Sequence, residues 1–482
     1  MKKFTALVLA CIMVSFIFTA CSENKGSADQ TQKTETAAAP EDEIDPRLLI
    51  SDDLPVDDFG GYDFRILSHL PARYYIEEET GDIINDIVFA RNRKIEERFN
   101  VNILCDAVPG IVEITTKART AILANEDVHD LLVPHTITSI PTFITEKLLI
   151  DWNEVPRINF DKPWWNEAII ESTRIFGKQF LTASSLNNGM ASAFAMLFNK
   201  NYIADYNFED LYKVVTENRW TIDYMDNIIK QVPRDLNGDG IFNEDDQFGL
   251  VLNNDNTTLN FMYGFNHESV ILGSDGYPII NINNELVHNM IQKVYSLIYD
   301  DNKSFIGYYD VYNEKGTPMF RDGRAFIICG GTTSLIGFRD VEFEFGIIPY
   351  PKWNEQQDGY YTHMDASNGA LCVPKTATNL TLIGTIVEAL SAESYKMIIP
   401  VFYDQALGIK YARDEVTRSM LDIIYAGVMY DFGYIFDDWK GATWTFPFMI
   451  VAKTTDLASY YASKEKAILA NYEKIFDAIL SE

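Results

Sequence analysis

Cysteine is scarce: the chain of 482 residues has five, and Cys11 and Cys21 fall within its first 21 positions. The other three, Cys105, Cys329 and Cys372, form no disulfide framework, and no CxxC pair offers a metal or redox centre. Each sits in an apolar setting such as "AFIICGG" and reads as a small buried hydrophobe. Histidine is scarce too, with six, which leaves little for acid–base chemistry. There is no G-x-S-x-G, HExxH or P-loop. No block of lysine or arginine occurs, and 40 basic against 70 acidic residues give a formal charge of −30. Such a chain repels phosphates, which excludes nucleic acid as a partner. Beyond residue 20 no apolar run is long enough to span a bilayer.

What is present begins at the N-terminus. Lys2 and Lys3 precede the apolar run "FTALVLACIMVSFIF", and "TACS" follows. A charged start, an apolar centre and small residues make a signal peptide over 1–20. Its end at Phe18-Thr19-Ala20-Cys21 resembles a bacterial lipobox, with Phe18 where leucine is usual. Cys21 is thus expected to be the lipidated first residue of the mature chain, holding it to the outer face of a cytoplasmic membrane. Residues 22–45 lack Val, Leu, Phe, Trp and Tyr, the composition of a disordered tether, so 21–59 is assigned as lipidated cysteine plus tether.

From Gly60 the pattern alternates. "YDFRILS" (62–68) predicts a strand, Ile84, Val88, Ile95 and Phe99 recur at helical spacing, and "VNILCD" (101–106) predicts a second strand. This is a βαβ unit, extended by a helix over 111–124, a "DLLV" strand and a helix near 138–148. "GKQFLTAS" (177–184), "AFAMLFNK" (193–200), "RAFIICGG", "FGIIPYP" and "GALCVPK" predict further strands. Helices are expected at 222–232, 380–408, 413–429 and in the tail from Ala452. Short apolar strands alternating with helices in both halves imply two α/β domains.

One stretch, "DLNGDGIFNEDDQ" (235–247), crowds five carboxylates into thirteen residues. Counted from Asp235, oxygen-bearing residues fall at positions 1, 3 and 5 (Asp235, Asn237, Asp239), and Gly240 supplies the turn. The carbonyl of Ile241 falls at 7, Asn243 at 9 and Asp246 at 12. That is the spacing of an EF-hand calcium loop, with Asp in place of Glu at position 12. A bound Ca²⁺ would explain the crowding. As a single loop leading into a strand it predicts a structural ion, since sensors work as helix pairs; it also resembles one of the two repeats of a dockerin.

Lipobox, tether and two α/β lobes, with the phrases "LLIDWNEVPRINFDKPWWN", "GKQFLTAS", "MLFNK", "NRWTIDYMDNIIKQVPRDLNGDGIFNEDDQFGL", "FRDGRAFIICGG" and "FGIIPYPKWNEQQDGYYT" in that order, resemble the extracellular solute-binding lipoproteins of ABC importers. The nearest type is the carbohydrate family related to maltose-binding protein. The resemblance implies an α/β, two-lobed periplasmic-binding-protein-like fold (type II, a Venus-flytrap) with hinge strands and lobes discontinuous in sequence. Crossovers are placed near 185–192, 364–370 and 428–436. Lobe 1 is then 60–188 plus 367–430, and lobe 2, which holds the acidic loop, is 189–366 plus 431–482. It further implies a monomer that is no enzyme, captures a carbohydrate in the cleft, an oligosaccharide by the family's habit, and hands it to ABC permease subunits.

In this architecture ligand groups come from loops at the C-terminal ends of strands. Aromatic faces stack on sugars, while planar amides and carboxylates bond hydroxyls. The candidates are Ser68, Arg73 and Tyr74 after the first strand, His135 after "DLLV", and Asn187 and Asn188 at the first hinge. Asn256, Thr332, Thr333, Asp365, Asn368, Trp439 and Trp444 complete the set. The resemblance places "GGTT" and Trp444 on the cleft; Thr332 stands where the maltose binder often has an aromatic, which argues against a maltodextrin. Trp164 and Trp165 are adjacent, cannot easily face one pocket, and read as packing. Two rival readings are a secreted carbohydrate-active enzyme, which needs paired carboxylates across a cleft, and a calcium-dependent surface adhesion or scaffold lipoprotein.

Overall fold

The computed structural model describes residues 45–188, 192–333, 337–338, 340–402, 415–437, 439 and 441–481, with the backbone alone at 188 and 415. The signal segment, Cys21 and most of the tether lie outside the described residues, as does the side chain of Asn188.

The first βαβ unit forms as its pattern dictates. Strand Tyr62–Ser68 pairs in parallel with Val101–Ala107 on one side and Leu131–Val133 on the other. The helix between the first two, Ile83–Phe99, starts where the Asp82 carboxylate accepts the N–H groups of Ile84 and Asn85, both at 3.0 Å. It ends at Asn100 in the left-handed region (φ 51°), a conformation asparagine tolerates. The order Val101–Ala107, Tyr62–Ser68, Leu131–Val133 brings three strand C-termini, and the loops that follow them, to one edge.

The second sheet has five strands in the order Phe345–Ile348, Phe194–Asn199, Ala325–Gly331, Phe248–Asn253, Ser304–Gly307. Phe194–Asn199 runs antiparallel to both neighbours and the other pairs are parallel. Every residue of Phe194–Asn199 and Phe248–Asn253 is buried. Both faces are covered, which is why these segments read as continuous apolar runs.

Each sheet has its own core. One gathers Phe64, Ile66, Ile103 and Leu132 with Ile383 and Val387; the other gathers Met196, Leu250, Ile327 and Ile347 with Trp220 and Met225. Two elements pack otherwise than the sequence division placed them. Helix Glu415–Ala426 gives Met420, Leu421 and Ile424 to the second core, and the terminal helix Leu457–Leu480 gives Ile468, Tyr472 and Ile475 to the first. Amphipathic periodicity shows that a helix has a buried face; it carries no information on which core receives it. "GKQFLTAS" and "GALCVPK" form no long strands: they are joined by the bridge Thr182–Leu371, Cys372 bridges Leu132, and Val373–Pro374 pairs with Leu149–Ile150.

The three expected crossing segments converge. Ala193 bridges Met364, Asp365 N–H donates to Ser192 O (3.1 Å), and Thr362–His363 pairs in parallel with Val428–Met429.

Candidate functional site

The site is assembled where the C-terminal edge of the first sheet meets these crossing segments. The turn Pro71–Arg73, after the first strand, is held from behind by a buried pair on helix Ile83–Phe99. Arg91 Nη2 donates to Tyr74 O (3.2 Å) and Asn92 Nδ2 donates to the same oxygen (2.7 Å). Arg91 is fully buried with no carboxylate among its bonds, and desolvation brings its guanidinium down to about 10. So anchored, Arg73 reaches the hinge: its Nη1 donates to Asn368 Oδ1 at 3.0 Å and to Asn187 O at 3.5 Å. Asn368 Oδ1 also accepts from Ser192 N (3.3 Å), so one amide ties the first lobe to two crossing segments.

Two histidines flank this contact. His135 Nδ1 accepts from Thr138 N (3.3 Å) as the cap of helix Thr136–Thr145. Burial pushes its ring down to about 4, so it stays neutral. The His69 ring lies 6.5 Å from it, with neither ring nitrogen bonded. Burial and the nearby Arg73 lower His69, opposed by Asp365. Asp365 itself caps the turn Ala366–Asn368 through Ser367 N (2.8 Å).

The second lobe contributes Asn253–Asn256 and the loop after Ala325–Gly331. Tyr434 O–H donates to Asn256 Oδ1 (3.1 Å). Burial, and secondarily the charge of Asp365, raise the Asp255 carboxyl. Thr332 lies 2.9 Å from the Tyr425 hydroxyl and accepts from Ala193 N, while Thr333 donates to Ser192 Oγ (2.9 Å). Trp439, 44% exposed, stacks on buried Trp444 at 4.5 Å between ring centres.

Between these walls lies a narrow cavity. Its lining includes Thr136, His363, Asp365, Asn368, Asp431 and Tyr434. His363 stacks on Phe194 (4.8 Å) and packs against Tyr263 and Tyr434; burial pushes it down to about 3. Asp431 is buried but satisfied, accepting from Tyr263 Oη, Ser269 N, Ser269 Oγ and Gly433 N.

Of the candidates read from sequence, Arg73, His135, Asn256, Thr332, Thr333, Asp365 and Asn368 are thus brought together or linked through shared partners. Others go elsewhere. Tyr74 is fully buried in the first core, because the chain turns inward after Arg73. Ser68 is spent on its own turn, accepting from Leu70 N (3.0 Å). Asn187 is fully buried, accepts from Ser184 N and donates to Gly369 O, and so shapes the hinge. His363, Tyr425, Asp431 and Tyr434 were not among the predicted ligand residues. The expected crossovers near 364–370 and 428–436 lie on or beside His363, Asp431 and Tyr434, but nothing in the sequence singles out these side chains. Trp164 and Trp165 both donate their indole N–H to Glu388, each at 3.0 Å.

In the acidic loop, Asp235 accepts from Gly238 and Gly240 N–H, Asp239 from Ile241, and Asp246 from Leu236 and Asn243, at 2.6 to 2.9 Å. Among the described residues no three His, Cys, Asp or Glu side chains gather as a metal site. None of the described helices is long and apolar enough to cross a membrane.

No family model and no curated protein sequence matches the chain. Solved structures do. The galacto-N-biose/lacto-N-biose I-binding protein of an ABC transporter from Bifidobacterium longum aligns with a TM-score of 0.59 at 12% identity, over 86% of this chain and 99% of that one. UgpB of Mycobacterium tuberculosis, in complex with glycerophosphocholine, gives 0.58 at 14%, over 86% and 99%. The GacH receptor of Streptomyces glaucescens, known with acarbose, gives 0.54 at 14%, over 84% and 99%. The chain therefore has the two-lobed α/β fold of these proteins.

Proposed function

We propose that the protein captures a polar solute, a carbohydrate, in the cleft between its lobes and delivers it to an ABC permease, lipid-anchored through Cys21. The observation that carries this is the junction itself: Arg73, Asn368, Thr333 and Asp365 come from both lobes and the crossing segments, and Asn368 and Asp365 share a cavity with the Tyr434 ring, whereas Trp444 is fully buried in the second core. Planar amide, guanidinium and carboxylate groups beside aromatic faces suit hydroxyl-rich ligands. Closure follows when one ligand bonds both lobes. No catalytic role is assigned. A thermal-shift screen against glycans tests the reading. A ligand at a hundred times its dissociation constant should add about 2.7 kcal/mol of apparent stability. Failure of every solute to move the unfolding curve would reject capture.

The acidic loop is proposed to take Ca²⁺ by drawing Asp235, Asn237, Asp239, Asn243, Asp246 and the Ile241 carbonyl inward. Its turn is already set by Gly238 (φ 75°) and Gly240 (φ 79°). Millimolar calcium should raise the unfolding temperature, and Asp239→Ala should abolish the rise. An equal rise in the variant would move the ion elsewhere.

A further inference from the structure

The cavity between the crossing segments has a polarity of its own. His363 is 2% exposed, and its Nδ1 lies 2.8 Å from Asn260 Oδ1. That oxygen accepts from His363 N (3.1 Å), so it is an acceptor and His363 Nδ1 must carry the proton. In the neutral ring this leaves Nε2 as a bare lone pair, and it has no partner. The group lines the same cavity as Asp365. Asp365 uses Oδ1 for its cap, and among the described residues neither Asp365 nor Asp255 has an ion-pair partner. Tyr434, also on the wall, directs its proton away to Asn256. The wall is therefore rich in acceptors, and the half-buried Asp365 on it carries a negative charge with no ion-pair partner, an arrangement that a donor-bearing cation would complete.

Resting on the solute-binding reading above, we propose that this cavity receives an ammonium group, so that the captured solute is an aminated sugar, with Asp365 as the counter-ion and His363 Nε2 as a second acceptor. A primary ammonium carries three donors, enough to serve both groups and leave one for Asn368 or solvent.

The test is calorimetric titration of the full chain with three matched β-1,4 series: glucosamine oligosaccharides, their N-acetylated forms and the unsubstituted gluco-oligosaccharides. The aminated series should bind at least tenfold more tightly than either other series. Asp365→Asn should erase that preference while leaving the fold, since the amide oxygen can still cap Ser367; circular dichroism checks this. His363→Phe should reduce the preference without erasing it. Equal or tighter binding of the unsubstituted series overturns the ammonium site and leaves solute capture standing. A preference that survives Asp365→Asn overturns the assignment of the counter-ion. Binding of no member of any series overturns the ammonium site, while solute capture itself is decided by the glycan thermal-shift screen.

Discussion

Glu388 shows how a single buried group can be read from chemistry alone. It lies inside helix Leu380–Glu393, fully buried, and accepts from both adjacent tryptophans and from Asn159 N–H (3.2 Å). Burial outweighs these donors and raises the carboxyl to about 7, from an ordinary 4.5. The folded state then holds this proton more tightly than the unfolded chain. Its contribution to stability is full below about pH 4.5 and is lost as pH rises toward 7, by at most about 3 kcal/mol. Glu388→Gln should remove that slope. Urea unfolding of both proteins between pH 4 and 8 measures it, and parallel curves would show that Glu388 does not titrate there. Adjacency in the sequence was enough to read Trp164 and Trp165 as packing. Their shared acceptor, more than two hundred residues away, could not be inferred from it.

At the scale of elements, the hairpin Val270–Leu272 with Pro278–Ile280 stands out. It is inserted between helices Asn256–Gly264 and Glu285–Tyr299, both of which pack in the second core. Yet Val270 and Ile282 belong to the first core. Tyr277 at its tip packs on Phe176 (5.3 Å) and stacks on Phe476 of the terminal helix (5.6 Å). The tip turns at Gly276 (φ 80°), where an added Cβ would lie 3.1 Å from the Phe176 ring. The hairpin therefore straps one lobe to the other, outside the three crossings anticipated from sequence. Phe176 is 40% exposed, so Phe176→Ala should cost only about 1–2 kcal/mol overall. Amide exchange over 268–284 should rise well beyond that of the sheets. Unchanged exchange there would mean the strap is held by its own two strands.

For the whole molecule, two separate cores joined by short crossings and one strap set the expectation of a closing motion. Ligand that bonds both lobes should narrow the molecule, seen as a fall in radius of gyration in solution scattering, and should make unfolding of the two cores more nearly one transition. A radius unchanged at saturation would mean that the cleft is already closed without ligand. The −30 charge gives the surface a broad negative field, which keeps the protein soluble and favours cationic solutes over anionic ones at long range.

Local chemistry decided a good deal of this by itself. The period of Ile84, Val88, Ile95 and Phe99 and the apolar runs of Phe194–Asn199 and Phe248–Asn253 follow from neighbouring residues, and so they were legible. The crossing segments were placed through the family resemblance, since a stretch as apolar as 428–436 does not mark itself as a crossing. What only the tertiary structure decided depends on contacts between distant residues. It assigned Glu415–Ala426 and Leu457–Leu480 to their cores, and it turned Tyr74 inward while leaving Arg73 at the hinge. It also made His363 a neutral acceptor, because the proton on Nδ1 is set by Asn260, 103 positions earlier. Periodicity reports that a face is buried; only the assembled fold reports against what.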